Sequence, residues 1–85
     1  TAKSAVSTAD AYASYGEYDT AIELYRKALT LGGADAGVVN TRIGAALYNA
    51  GRKDEARTVF SSITGPRADL ARYWLTLIDT PSVAD

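Results

Sequence analysis

The 85-residue sequence has no cysteine, no histidine and no methionine, and only two prolines. Without cysteine there is no disulfide, no thiol nucleophile and no thiolate metal site, and nothing marks the redox compartment. Without histidine, general acid–base chemistry falls to carboxylates, lysine or tyrosine. The obvious carboxylate pair, Asp54 and Glu55, is adjacent, and on a helix such neighbours diverge by about 100°. Those two residues read better as negative charge at a helix start. Ser61 and Ser62 have no base within their own turn, and Gly32-Gly33 is not followed by the Lys-Ser/Thr of a phosphate loop. No Asp-rich calcium loop occurs. These residues predict no enzyme, no cofactor and no metal.

Charge of one sign is missing too. Nine Lys+Arg against ten Asp+Glu leave a net charge of −1, which is no footprint for nucleic acid or an anionic membrane surface. The adjacent cations Arg26-Lys27 and Arg52-Lys53 flank helix ends, where a dipole or a solvated turn accounts for them. The hydrophobic cluster Tyr73 to Ile78 falls far short of the 18 or more apolar residues of a spanning helix. No nucleic-acid partner and no membrane insertion are expected. The sequence opens at Thr1 without an initiator methionine or a leader, and reads as a piece excised or processed from a longer parent.

What is present is a folding composition, with 47% hydrophobic and 22% charged residues. A chain of this length folds to roughly 4,900 Å² of surface and supports one thin core, for which two layers of helices suffice. An internal repeat sets the architecture. Ala9, Gly16, Ala21 and Tyr25 recur as Gly44, Gly51, Ala56 and Phe60, small for small and aromatic for aromatic, each 35 residues later.

Within each unit the apolar spacing is helical. Ala5, Ala9, Tyr12 and Ala13 are followed by Ala21, Ile22, Leu24, Tyr25, Ala28 and Leu29; Val39, Ile43, Ala46, Leu47 and Ala50 are followed by Ala56, Val59, Phe60 and Ile63. A fifth segment carries Leu70, Ala71, Trp74, Leu77 and Ile78. With glycines at the breaks, helices are expected over about 2–15, 18–31, 36–50, 53–63 and 66–79, with no strand. Ala9, Ala21, Ala28, Gly44 and Ala56 read as close helix contacts. Tyr12, Tyr18, Tyr25, Phe60 and Trp74 read as core.

The run Tyr12-x-x-x-Gly16-x-Tyr18-x-x-Ala21-Ile22-x-x-Tyr25-x-x-Ala28-Leu29 resembles the tetratricopeptide repeat, and Ile43-Gly44, Leu47, Gly51, Ala56 and Phe60 repeat the likeness. The resemblance covers about residues 2–79 and suggests the C-terminal part of a longer bacterial protein. Ala5, Thr8, Gly33 and Ile63 depart from the family's pattern, and the period is one residue longer than its usual 34. The resemblance implies an all-α fold, a right-handed superhelix of antiparallel helix pairs with five helices. Residues 1–79 would form a single domain, with repeat 1 over about 2–35, repeat 2 over about 36–65, a capping helix over about 66–79 and a flexible tail over 80–85. Trp74 and Leu77 match the large residues that open a first helix, while Ile78 stands where a small residue would admit a following second helix, as in a capping helix. Trp74, Leu77, Leu70 and Ala71 are expected to pack around Phe60, with Trp74 largely buried; the competing reading makes Tyr73, Trp74 and Leu75 an exposed docking patch.

The resemblance implies a protein–protein interaction scaffold, whose first helices line a concave groove that binds a peptide or protein segment. Lys3, Val6, Asp10, Ala13 and Ser14, then Thr41, Ala45, Tyr48 and Asn49, then Arg72 and Leu75 match the groove-facing positions. The candidate site residues are Asp10, Ser14, Thr41, Tyr48, Asn49 and Arg72, a set that reads equally well as solvated surface. Relatives that clamp a chaperone's C-terminal carboxylate use paired basic and Asn side chains; at the matching Val6, Asp10, Ala45, Arg72 and Thr76 only Arg72 is suitable. The 35-residue period also resembles the pentatricopeptide RNA readers, which need many repeats and a positive face that this chain lacks. The alternative to a groove binder is a structural or assembly segment that associates weakly with itself or with neighbouring domains through the repeat ends. A soluble protein of the bacterial cytoplasm or periplasm is expected.

Overall fold

The computed structural model describes residues 1–81. Five α-helices follow one another: α1 (Ala2–Ser14), α2 (Tyr18–Leu31), α3 (Ala36–Asn49), α4 (Lys53–Ser61) and α5 (Ala68–Asp79), with a 3₁₀ turn (Gly65–Arg67) leading into α5. No strand occurs among the described residues. The chain is therefore all-helical, as its periodicity predicts. Part of the expected mobile tail, residues 82–85, lies outside the described residues.

Local chemistry fixes the helix ends. The Thr1 side chain accepts the Ser4 N–H in a capping box at the start of α1, and the Asp35 carboxylate accepts the Val38 N–H at 3.1 Å to open α3. The C-termini of α1 and α3 are closed in the same way, 35 residues apart. The Gly16 N–H donates to the Ala13 carbonyl (3.0 Å) and the Glu17 N–H to Tyr12 (2.9 Å); the Gly51 N–H donates to Tyr48 (3.0 Å) and the Arg52 N–H to Leu47 (2.9 Å). These pairs satisfy the last carbonyls of the helix, and they require left-handed backbone at Gly16 (φ 79°) and Gly51 (φ 83°). Each hairpin turns within three residues.

The helices form a slab of 41 × 29 × 15 Å. Its accessible surface of 5305 Å² exceeds the roughly 4,900 Å² of an average globule of this mass, as so thin a shape must. α2 packs on α1 and α3, and α4 on α3 and α5. Ala9, Ala21, Ala28 and Ala56 are buried, and Gly44 is buried beside Phe60. A Cβ at Gly44 would stand 2.5 Å from the Phe60 ring, so only glycine lets α3 and α4 approach this closely.

The structure corrects three expectations. Tyr12 is not core: it is 41% exposed, on a helix whose main packing partner among the described residues is α2 alone. The inner face of α5 is made by Ala71 and Ile78, which are buried, while Leu70 and Leu77 are exposed at 39% and 38%. Trp74 packs on Phe60 as expected, with most of its surface covered: the rings stack (centroids 5.2 Å, planes 8° apart), and Trp74 stands edge-on to Tyr48 (5.6 Å). The 3₁₀ turn takes up Pro66, so α5 begins at Ala68 and not at 66.

Candidate functional site

A groove runs along α1 and α3. Asp10 and Arg42 face each other across it: Arg42 Nη1 donates to Asp10 Oδ2 at 2.8 Å, and the Tyr25 hydroxyl, rising from α2 beneath, donates to Asp10 Oδ1 at 2.5 Å. This bridge divides the groove into two hollows. The first, of about 320 Å³, has Lys3, Val6, Ala34, Asp35 and Val38 around it. The second, of about 460 Å³, is lined by Ala13, Ser14, Tyr18, Ala45 and Asn49. Asp10 and Arg42 border both.

The bridge is electrostatically tuned. Burial, then the hydrogen bond to Asp10 and that carboxylate's negative charge, push the Tyr25 hydroxyl well above the ordinary phenol range, against the opposing charge of Arg42. Tyr25 therefore stays a donor at any physiological pH. Asp10 and Arg42 are each 44% exposed at the side chain, so their ion pair is partly screened and its contribution is modest.

Asp10, Ser14 and Asn49 border the second hollow together. Thr41, Tyr48 and Arg72 line neither hollow. The Thr41 hydroxyl donates to the Gly37 carbonyl at 2.7 Å; Tyr48 packs against Trp74 with Lys53 Nζ 5.9 Å from its ring centroid; Arg72 pairs with Asp69 one turn back on α5. The reason is angular. Positions 41 and 48 are two turns apart on one strip of α3 and positions 42 and 49 on the next, about 100° round the helix. Tyr48 reaches α5 and Arg42 reaches α1.

Sequence reasoning missed Arg42 and the role of the Tyr25 hydroxyl. The signal was available: Arg42 lies one turn before Ala45, the residue 35 positions after Asp10, and so meets Asp10 once α1 and α3 lie side by side. Two further ion pairs join elements, Arg52 to Asp19 at 2.7 Å and Arg57 to Asp79 at 2.8 Å. Hydrogen bonding to Arg52 holds the Glu55 carboxyl below its usual range, on an open surface that gives it no catalytic setting. Among the described residues no three carboxylates converge as a metal site, and no helix is long and apolar enough to cross a membrane.

The chain matches no curated protein and no solved structure. A family model described as tetratricopeptide repeat matches residues 12–78, a span that takes in the last turn of α1, both glycine-closed turns, α2 to α4 and nearly all of α5. Repeats of this family are generally protein–protein interaction modules and typically non-catalytic scaffolds. With the 35-residue recurrence of turns, small contacts and aromatic positions, this match shows that the chain belongs to the tetratricopeptide repeat family.

Proposed function

We propose that the chain is a non-catalytic module that binds a peptide or protein segment in the groove between α1 and α3. The observation that carries this reading is the pair of adjoining hollows, open to solvent, with aliphatic walls and polar side chains at their edges. An extended segment laid along them meets Val6 and Val38 first, crosses the Asp10–Arg42 bridge, and then meets Ser14 and Asn49. Thr41, Tyr48 and Arg72 belong on this reading to the surface that continues toward α5. Residues 1–79 act as one unit, repeat 1 over about 2–35, repeat 2 over about 36–65 and the closing helix over about 66–79. The absence of histidine and cysteine supports the non-catalytic part.

Selection of random 12-residue displayed peptides on the immobilised chain tests the reading. Ser14 and Asn49 are exposed, so Ser14→Trp and Asn49→Trp fill the second hollow without entering the core. Recovered peptides are expected to bind these variants at least about tenfold more weakly, a change of 1.4 kcal/mol. Undiminished binding to both variants contradicts the groove.

A second reading, assembly through the repeat ends, is favoured by one observation. Leu70, Tyr73 and Leu77 form an exposed strip along α5, Tyr73 at 65%. A light-scattering concentration series decides for it if the chain associates without ligand and Leu77→Ser abolishes the association.

A further inference from the structure

We propose that the exposed strip of α5 pairs with the same strip of a second copy of this chain, antiparallel across a two-fold axis near Tyr73. This deepens the assembly reading above and rests on it, and it leaves the groove between α1 and α3 free for a segment. Each of the other first helices is covered by the helix that follows it, α1 by α2 and α3 by α4. α5 packs on α4 and on the 3₁₀ turn, and Leu70, Tyr73 and Leu77, three and four residues apart on one flank, stay exposed. That flank differs from the faces that take α2 and α4. Those bury a small residue, Ala9 on α1 and Gly44 on α3, and Gly44 lies against Phe60. The residue 35 places after Gly44 is Asp79, held by Arg57 of α4, and the exposed flank of α5 has no glycine or alanine. A close-crossing helix finds no seat there, whereas a helix spaced by interdigitated large side chains does.

The strip fits itself. It reads Leu, Tyr, Leu, so a two-fold axis near its middle residue brings Leu70 beside Leu77 of the second copy and Leu77 beside that copy's Leu70, while the two Tyr73 rings meet. An axis perpendicular to the helix runs the two copies of α5 antiparallel, which opposes their dipoles. No charge stands in the strip. Asp69 on its edge is taken by Arg72, and in the antiparallel pair it lies beside Thr80 of the second copy, on the same flank. Like charges therefore do not oppose each other. The three side chains leave roughly 300 Å² open on each copy, against the about 800 Å² that each side of a standard interface buries. The dimer is accordingly a weak one, half-formed at about 0.1–1 mM chain.

Charge exchange at the axis tests this by static light scattering on the full 85-residue chain, from about 10 µM to about 2 mM. The unaltered chain is expected to approach the dimer mass at the top of that range. Tyr73 is exposed, so Tyr73→Glu and Tyr73→Lys keep the helicity and melting temperature, and each alone is expected to dimerise at least about tenfold more weakly. An equimolar mixture of the two recovers the dimer, because opposite charges then meet at the axis. Orientation has its own readout. The chain has no cysteine, so Asp69→Cys and Thr80→Cys place single thiols about three turns apart on one flank. Oxidised together, the two variants are expected to form chiefly the mixed disulfide, since like positions of an antiparallel pair stand more than about 10 Å apart, beyond disulfide reach. Dimers that survive in both Tyr73 variants, a mixture that does not recover, or disulfides chiefly between like positions overturn the two-fold pairing of α5 and leave assembly to another surface. A chain that stays monomeric throughout the range overturns the pairing and the assembly reading together.

Discussion

The two helical hairpins carry matched residues in unmatched surroundings. Tyr12 and Leu47 stand 35 residues apart and accept equivalent hydrogen bonds in their helix-closing turns, yet Tyr12 is 41% exposed and Leu47 is fully buried. Tyr25 and Phe60 are also counterparts and both are buried. One sends a hydroxyl to the groove at Asp10, and the other stacks on Trp74. α3 is packed by α2, α4 and α5, whereas α1 has its main packing partner in α2 alone. In a repeat stack a residue's share of the stability thus comes from its neighbours as much as from its place in the repeat. The outer hairpin spends its aromatic positions on surface and on the groove; the inner one spends them on the core.

The largest expected effect tests the matched pair directly. Leu47→Ala empties a fully buried site and should cost about 3–4 kcal/mol, while Tyr12→Ala, removing a side chain already partly in water, should cost about 1 kcal/mol. Urea denaturation of both variants checks this, and equal losses would break the comparison. Next comes Gly44→Leu. With the Phe60 ring 2.5 Å from the position of a Cβ, the added side chain forces α3 and α4 apart, at a cost of about 3 kcal/mol. An unchanged melting temperature would mean that the two helices do not cross at Gly44.

The smallest effect concerns the polar bridge. Tyr25→Phe keeps the ring and removes the donor to Asp10, for about 1 kcal/mol given the half-exposed carboxylate. The pH dependence sharpens the point. Because the folded-state Tyr25 hydroxyl titrates above the ordinary phenol value of about 10, the unfolded chain loses this proton first as pH rises. The contribution is whole below pH of about 10 and is lost as pH climbs toward the raised folded value. Tyr25→Phe should therefore flatten the alkaline fall in stability, and a fall identical in both proteins would contradict the Tyr25–Asp10 bond.

The helices and their twofold recurrence were legible because the cues are local: glycines that adopt left-handed backbone at Gly16 and Gly51, and apolar residues at helical spacing between them. The inward face of α5 was not, since Tyr73 and Leu75 join Leu70, Ala71, Trp74, Leu77 and Ile78 to spread large and apolar residues over about 200° of its circumference, and periodicity alone cannot choose among them. Contact with Phe60 on α4 makes that choice. Asp10, Ser14 and Asn49 were legible as neighbours because matched positions of adjacent first helices face one hollow. Arg42 was missed because its partner is 32 residues away in the other repeat, although its place one turn before Ala45 carried the signal once α1 and α3 are set side by side. Tyr12 shows the same limit, since a repeat position does not say whether another helix covers it.

The central claim is that a partner lies along α1 and α3 and not on the exposed strip of α5. An amide chemical-shift map of the isotopically labelled chain, titrated with a 12-residue peptide recovered by display, tests it most directly. Shifts concentrated in residues 3–14 and 34–49, with α5 quiet, are the predicted result; shifts confined to residues 68–79 would contradict it.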